Sequence, residues 1–218
     1  MRELVPMVML AVLPALSAAA SFDCAKAATP QEKMICGSAE LARLDEQGAR
    51  AYAAALSATS DKSLVKAWQR DWLRSTRNGC TEVDCLRKAL SLHNGELDEF
   101  AHVSSAGPTV SGLYERFSGD KPDRHAAQIM VLALRANRAR VHGTAIWVGN
   151  AATGSVHTGE AEGLTQIVGG MALLRSDSCR LAITFARDAL TVEEAKDSSC
   201  GGMNVTFDGN YRKSDGTK

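Results

Sequence analysis

The sequence predicts an α+β protein of two domains, a small disulfide-stapled helical bundle followed by an antiparallel β-sandwich or β-barrel. Three observations carry that prediction. Apolar residues recur at three-four spacing up to about residue 100 and at alternating positions beyond it. Between the two regimes, "HVSSAGPT" (102–109) loses periodicity and gains Ser, Gly and Pro, which marks a boundary. Finally, the chain carries 6 cysteines, an even count, behind an N-terminal stretch with the features of an export signal.

That stretch comes first. Arg2 precedes the apolar run "LVPMVMLAVLPALSAAA", which ends in the small residues Ala18, Ala19 and Ala20. A charged start, an apolar middle and a small-residue cleavage site predict a signal peptide over 1–20 and a mature chain from Ser21. The expected compartment is the bacterial periplasm, with no membrane attachment after cleavage. Lys+Arg and Asp+Glu both total 25, so the basic surplus of a nucleic-acid binder is missing. No phosphate-cradling glycine loop or dinucleotide fingerprint occurs, and no cofactor is expected.

The helical domain is expected over 21–103. "TPQE" offers Thr29 as N-cap, Pro30 at the first helical position and Glu32 as the reciprocal capping partner. Ser38 can cap a second helix to about Ser57, with Leu41, Leu44, Gly48, Ala51 and Ala55 on one face. Ser60 can cap a third, in which Leu64, Val65, Trp68 and Trp72 share a face that fills a core, with Asn78-Gly79 as its stop. Thr81 can start a fourth, with Val83, Leu86, Leu90, Leu97 and Phe100 in register.

The antiparallel β domain is expected over 110–218. Its strands are "VSGLYERF", "AQIMVLALR", "ARVHGTAIWV", "CRLAITFA", "ALTVEE" and "MNVTFDGNYRK", separated by polar turns. Gly112-Leu113-Tyr114 in the first strand and Gly209-Asn210-Tyr211 in the last are similar, as expected if those strands pair and close a barrel.

If the second and third helices are antiparallel, Cys24, Cys36, Cys80 and Cys85 gather at one end of the bundle. Gaps of 11 and 4 residues do not suit a zinc knuckle, and no βαβ unit supports a redox pair. Structural disulfides remain, with Cys24 and Cys36 expected to pair across the bundle to Cys80 and Cys85, in either combination. Cys179 and Cys200 are expected to staple the β domain.

The quoted segments "DCAKAATPQEKMIC", "LARLDEQ" with Tyr52, "WQRDWLRSTRNGC" and "DCLRKAL" together resemble the N-terminal domain of the LprI-type lysozyme inhibitors, over about a third of the chain. Gly48 departs from that pattern, at a helix position where a larger residue is expected. "CRLAITF" and "CGGMNVTFDGNYRK" also resemble β regions found behind this domain in other exported bacterial proteins. The resemblance implies a protein that binds lysozyme or a related peptidoglycan hydrolase and inhibits it.

Catalysis is not expected. The histidines 93, 102, 125, 142 and 157 form no His-Glu-x-x-His motif, and no Gly-x-Ser-x-Gly elbow is present. Inhibition requires less: a rigid loop that offers a cation or hydrogen-bond donor to the paired carboxylates of a muramidase cleft. Three segments qualify as loops, "SGDKPDRH" with Lys121, Arg124 and His125, "VHTGEAEG" with His157, Glu160 and Glu162, and "KDSSCGGMN" with Ser198 and Ser199. The third is preferred because Cys200 tethers it, which lowers the entropic cost of binding. The alternative is a periplasmic immunity or cell-envelope accessory protein that binds a different target.

Overall fold

The computed structural model describes residues 20–150 and 153–214. The expected signal peptide therefore lies outside the described residues, apart from Ala20. Among the described residues no helix is long and apolar enough to cross a membrane.

The helical part follows its capping signals with two changes. Helix α1 (Pro30–Cys36) opens with the full capping box: Thr29 Oγ1 accepts from Glu32 N, and the Glu32 carboxylate accepts from Thr29 N at 2.9 Å. Ser38 caps α2 (Ala39–Ala58) as expected. Helix α3 (Lys62–Trp72) is capped by Asp61 and not by Ser60: Asp61 Oδ1 accepts from Leu64 N at 3.1 Å. A carboxylate there also gains from the helix dipole, which a hydroxyl does not. After a π-helical turn over Leu73–Arg77, α4 runs from Val83 to Ser105; Glu82 and not the expected Thr81 holds its N-cap position, with no side-chain cap bond.

Helices α2 and α4 lie close because Gly48 lets them. A Cβ at Gly48 would stand 2.6 Å from Asn94 Oδ1, and the same buried Asn94 donates Nδ2–H to Leu44 O at 2.8 Å. The expected loss of helix propensity at Gly48 is thus offset by a close crossing and a buried hydrogen bond.

The expected cross-bundle disulfides are not formed. Cys24 pairs with Cys36 and Cys80 with Cys85, at sequence separations of 12 and 5. The two couples do share one end of the bundle, but a hydrogen-bonded side chain connects them: buried Gln31 donates Nε2–H to Asn78 O at 3.0 Å and Cys80 O at 2.8 Å. A short 3-10 turn at Cys24–Lys26, capped by Asp23, folds back on α1 and brings Cys24 to a Cα–Cα distance of 5.7 Å from Cys36. Cys85 stands in the first turn of α4, beside Cys80. Both links are local, so each constrains a short loop worth roughly 2–3 kcal/mol by the chain-entropy argument.

The β part is a closed eight-stranded antiparallel barrel. Its strands are β1 (Gly112–Ser118), β3 (Ala127–Leu134), β4 (Arg138–Val148), β5 (Val156–Val168), β6 (Met171–Ser176), β7 (Cys179–Phe185), β8 (Ala189–Glu194) and β9 (Gly209–Lys213), with a short extra strand β2 (Lys121–Pro122) paired to β1. Neighbours in sequence are neighbours in the sheet, and β1 pairs with β9 to close it, with Tyr114 opposite Lys213 and Arg116 opposite Tyr211. The two similar tyrosines repeat one device. Tyr114 donates its hydroxyl to Val110 O and Tyr211 to Phe207 O, each at 2.8 Å and each four residues upstream. Burial pushes the Tyr114 phenol up to about 12 and raises that of Tyr211 as well.

Inward-facing residues such as Ile129, Val131, Val141, Leu181, Ile183 and Phe207 fill the barrel. On β3 the outward residues are buried too. Met130, Leu132 and Leu134 pack against Ala51, Ala55, Leu64, Val65, Trp68, Leu97 and Phe100 of the helices. Arg138 pairs with Glu99 and Arg140 with Glu96 beside this contact. The helical part and the barrel therefore share a core along β3.

Candidate functional site

The antiparallel order alternates connections between the two ends of the barrel. Residues 119–126, 149–150, 153–155, 177–178 and 195–208 fall at the same end. Lys121, Arg124, His125, His157, Ser198 and Ser199 therefore meet at one rim, although they are scattered over the second half of the sequence.

The rim is built around the 195–208 segment, which is loop throughout; the strand expected over "MNVTFDGNYRK" begins only at Gly209. Phe207, fully buried, turns into the barrel mouth, where Gly143 leaves the space: a Cβ there would stand 2.9 Å from the Phe207 ring. Cys200 is bonded to Cys179 at the start of β7. Gly201 pairs with Gly159 of β5, and a Cβ on Gly159 would come within 2.3 Å of Cys200 O. The Glu194 carboxylate accepts from Cys200 N at 3.3 Å and Phe207 N at 3.2 Å, which closes the loop at its base.

Buried Arg116 anchors the other rim loop. Its Nη1–H donates to Thr206 O at 2.6 Å, it donates a second bond to His125 O, and its Nε lies 3.2 Å from Asp123 Oδ2. One guanidinium thus holds the 119–126 and 195–208 loops together. A sequence reading misses this because Arg116 sits mid-strand, where an arginine is expected to face solvent.

Three rings stack across the rim. Trp147 lies 6.0 Å from His125 at an interplanar angle of 7° and 5.3 Å from His157 at 27°. His125 Nδ1 accepts from Val148 N at 3.1 Å, so its proton sits on Nε2. His157 Nδ1 is 2.5 Å from Met203 O and must donate there. Met203, 72% exposed, projects beside this stack. Met203 lies inside the expected "KDSSCGGMN" loop, whereas Trp147 belongs to no sequence motif; strand pairing and the disulfide bring the two together.

Two expected groupings change. Ser198 is not a free donor, because its hydroxyl accepts from Arg180 N at 3.0 Å and its own proton points to the disulfide sulfur of Cys200 at 3.3 Å; Ser199 remains exposed. The expected "VHTGEAEG" loop is part of β5, so alternation separates its members. His157 shares the inward face with Gly159 and Ala161, whereas Glu160 and Glu162 face outward, across the pairing register from Thr144 and His142. Glu160 and Glu162 therefore sit on the outer wall and not in the barrel mouth. Glu160 borders a cleft of about 1080 Å³ that runs from α3 and its π-helical turn to Ser178, Ser199 and Gly201 of the rim, and Glu162 a smaller one of about 200 Å³ beside α3 and α4.

Between the helices and this smaller cleft lies His93, stacked on Trp72 at 3.9 Å and 3° and edge-on to Trp68 at 5.0 Å. Its Nε2 meets Gln69 Oε1 at 2.8 Å. Burial, with the Arg140 cation as a lesser cause, pushes its pKa down to about 3. Trp68 is buried as expected, while Trp72 is half-buried at the cleft edge. Comparison with protein-family models, curated proteins and solved structures finds no match for this chain.

Proposed function

We propose that the protein is an exported inhibitor of a lysozyme-type muramidase, acting in the periplasm by stoichiometric occlusion of the substrate cleft. The observation that carries this reading is the rim loop: Cys179–Cys200 and the Phe207 plug hold it rigid while Met203 stands exposed beside His157, Trp147 and His125. A pre-organised projection loses little entropy on binding, and an apolar tip flanked by imidazoles, Lys121 and Arg124 suits a cleft centred on two carboxylates. The resemblance of the helical part to LprI-type inhibitors supports the same target class. The three disulfides fit an oxidising compartment.

The test titrates the oxidised chain from Ser21 against chicken-type, goose-type and invertebrate-type lysozymes in a cell-wall turbidity assay. Equimolar protein is expected to abolish lysis by at least one class, and the double variant Met203→Asp/His157→Asp to weaken inhibition by tenfold or more. Full lysis by all three classes in the presence of excess protein would sink the proposal. Capture of a different secreted effector by the rim would then favour the immunity-type reading.

A further inference from the structure

Glu160 and Glu162 are left unexplained by the rim. They are neighbours on the outward face of β5, and two carboxylates two residues apart on one strand face repel each other. Among the described residues Glu162 has no cationic side chain within ion-pairing distance, since nearby Arg140 is taken by Glu96. Directly opposite Glu162 in the register stands His142, whose side chain is 14% exposed and whose Nε2 lies 2.8 Å from Glu160 Oε1. One ligand atom from each of His142, Glu160 and Glu162 falls within 4.8 Å of the others.

A second, independent feature concerns the other imidazole nitrogen. His142 Nδ1 faces Asp71 Oδ2 of α3 at 3.8 Å, an ion-pair rather than a hydrogen-bond distance, and Asp71 is itself held by Arg74 at 2.6 Å. A carboxylate hydrogen-bonded to the far nitrogen of a histidine orients metal-ligating imidazoles. Here Nε2 donates to Glu160, so metal binding releases that proton while the Asp71 contact shortens to a hydrogen bond on Nδ1.

We propose that His142, Glu160 and Glu162 form a site for a divalent transition-metal ion, with Asp71 as the residue that positions His142. One imidazole and two carboxylates favour zinc over calcium or magnesium, which take oxygen ligands alone. Three ligands on a sheet face leave a fourth position open to water from the cleft. Ligand atoms around tetrahedral zinc stand roughly 3.3 Å apart, so the 2.8 Å His142–Glu160 pair opens slightly and a pair at the 4.8 Å limit closes by about 1.5 Å, movements that the exposed Glu160 and Glu162 side chains can supply. The site joins α3 to the barrel wall and is distinct from the rim.

The test uses the tag-free chain from Ser21, fully oxidised so that no thiol competes, stripped with a chelator and titrated with Zn²⁺ by calorimetry near pH 7.5. One ion per chain is expected at micromolar affinity or better, with Ca²⁺ and Mg²⁺ at least a hundredfold weaker. Glu162→Gln should lower the Zn²⁺ affinity by tenfold or more and His142→Ala should abolish binding. Asp71→Asn should cost 10–100-fold while leaving the stoichiometry at one. With Co²⁺ as the probe, wild type should show visible absorption that His142→Ala lacks. Near-UV circular dichroism checks that each variant is folded, and exposed Glu162 can be changed to Gln without disturbing any core. No saturable Zn²⁺ binding by wild type, or binding unchanged in both Glu162→Gln and His142→Ala, would overturn the proposal.

Discussion

His93 shows how a single residue ties this protein's stability to pH. An ordinary histidine titrates near 6.5, whereas burial between Trp68 and Trp72 holds folded His93 at about 3. Between those values the unfolded chain takes up a proton that the folded chain refuses. Stability conferred by neutral His93 is therefore complete above pH 6.5 and is lost as pH falls, at up to about 1.4 kcal/mol per pH unit. The urea midpoint should drop from pH 7 to pH 5, and His93→Phe should remove most of that drop. An identical drop in the variant would contradict this account. Arg116, Gly48 and Gly143 also hold the fold in place, and none of them belongs to a recognisable motif. Each is explained by a partner far away in the sequence: Thr206, Asn94 and Phe207 respectively.

At the scale of elements, capping chemistry was the most legible part of the sequence. The Thr29-Glu32 box and the Ser38 cap form as read, because a cap depends on three or four consecutive residues. For α3 two adjacent residues could serve, and the structure uses Asp61. Asp61→Ala should cost about 1 kcal/mol and Ser60→Ala close to nothing, as measured by chemical denaturation. Equal costs would contradict the assignment. Strands β5 and β6 escaped the sequence reading for a physical reason. The inward side of β5 begins with His157, Gly159, Ala161 and Gly163, too small or polar to show the apolar alternation that marks a half-buried strand. Its small residues are needed where Cys200, Gly201 and the Leu174 side chain approach. The local disulfides Cys24–Cys36 and Cys80–Cys85 were likewise hidden, since a pairing depends on Cα distances that spacing does not supply.

For the molecule as a whole, the shared core along β3 decides how the parts depend on each other. Met130, Leu132 and Leu134 are covered by helices, so residues 110–218 alone would expose a row of three large apolar side chains. That fragment should bind a hydrophobic dye or associate, and Lys at the three positions should make it monomeric. A monomeric, dye-silent wild-type fragment would show that the helices are dispensable to the barrel. The sequence by itself determined the α+β order, the first two helix caps, the even cysteine count and the pairing of the first and last strands, because these rest on local periodicity and on matched segments. Only the tertiary structure decided which scattered residues meet. Strand alternation sent His157 to the rim and Glu160 and Glu162 to the helix-facing wall, and closure of the barrel put Arg116, Trp147 and Met203 around one mouth. Those juxtapositions depend on register across eight strands, which no single stretch of sequence encodes.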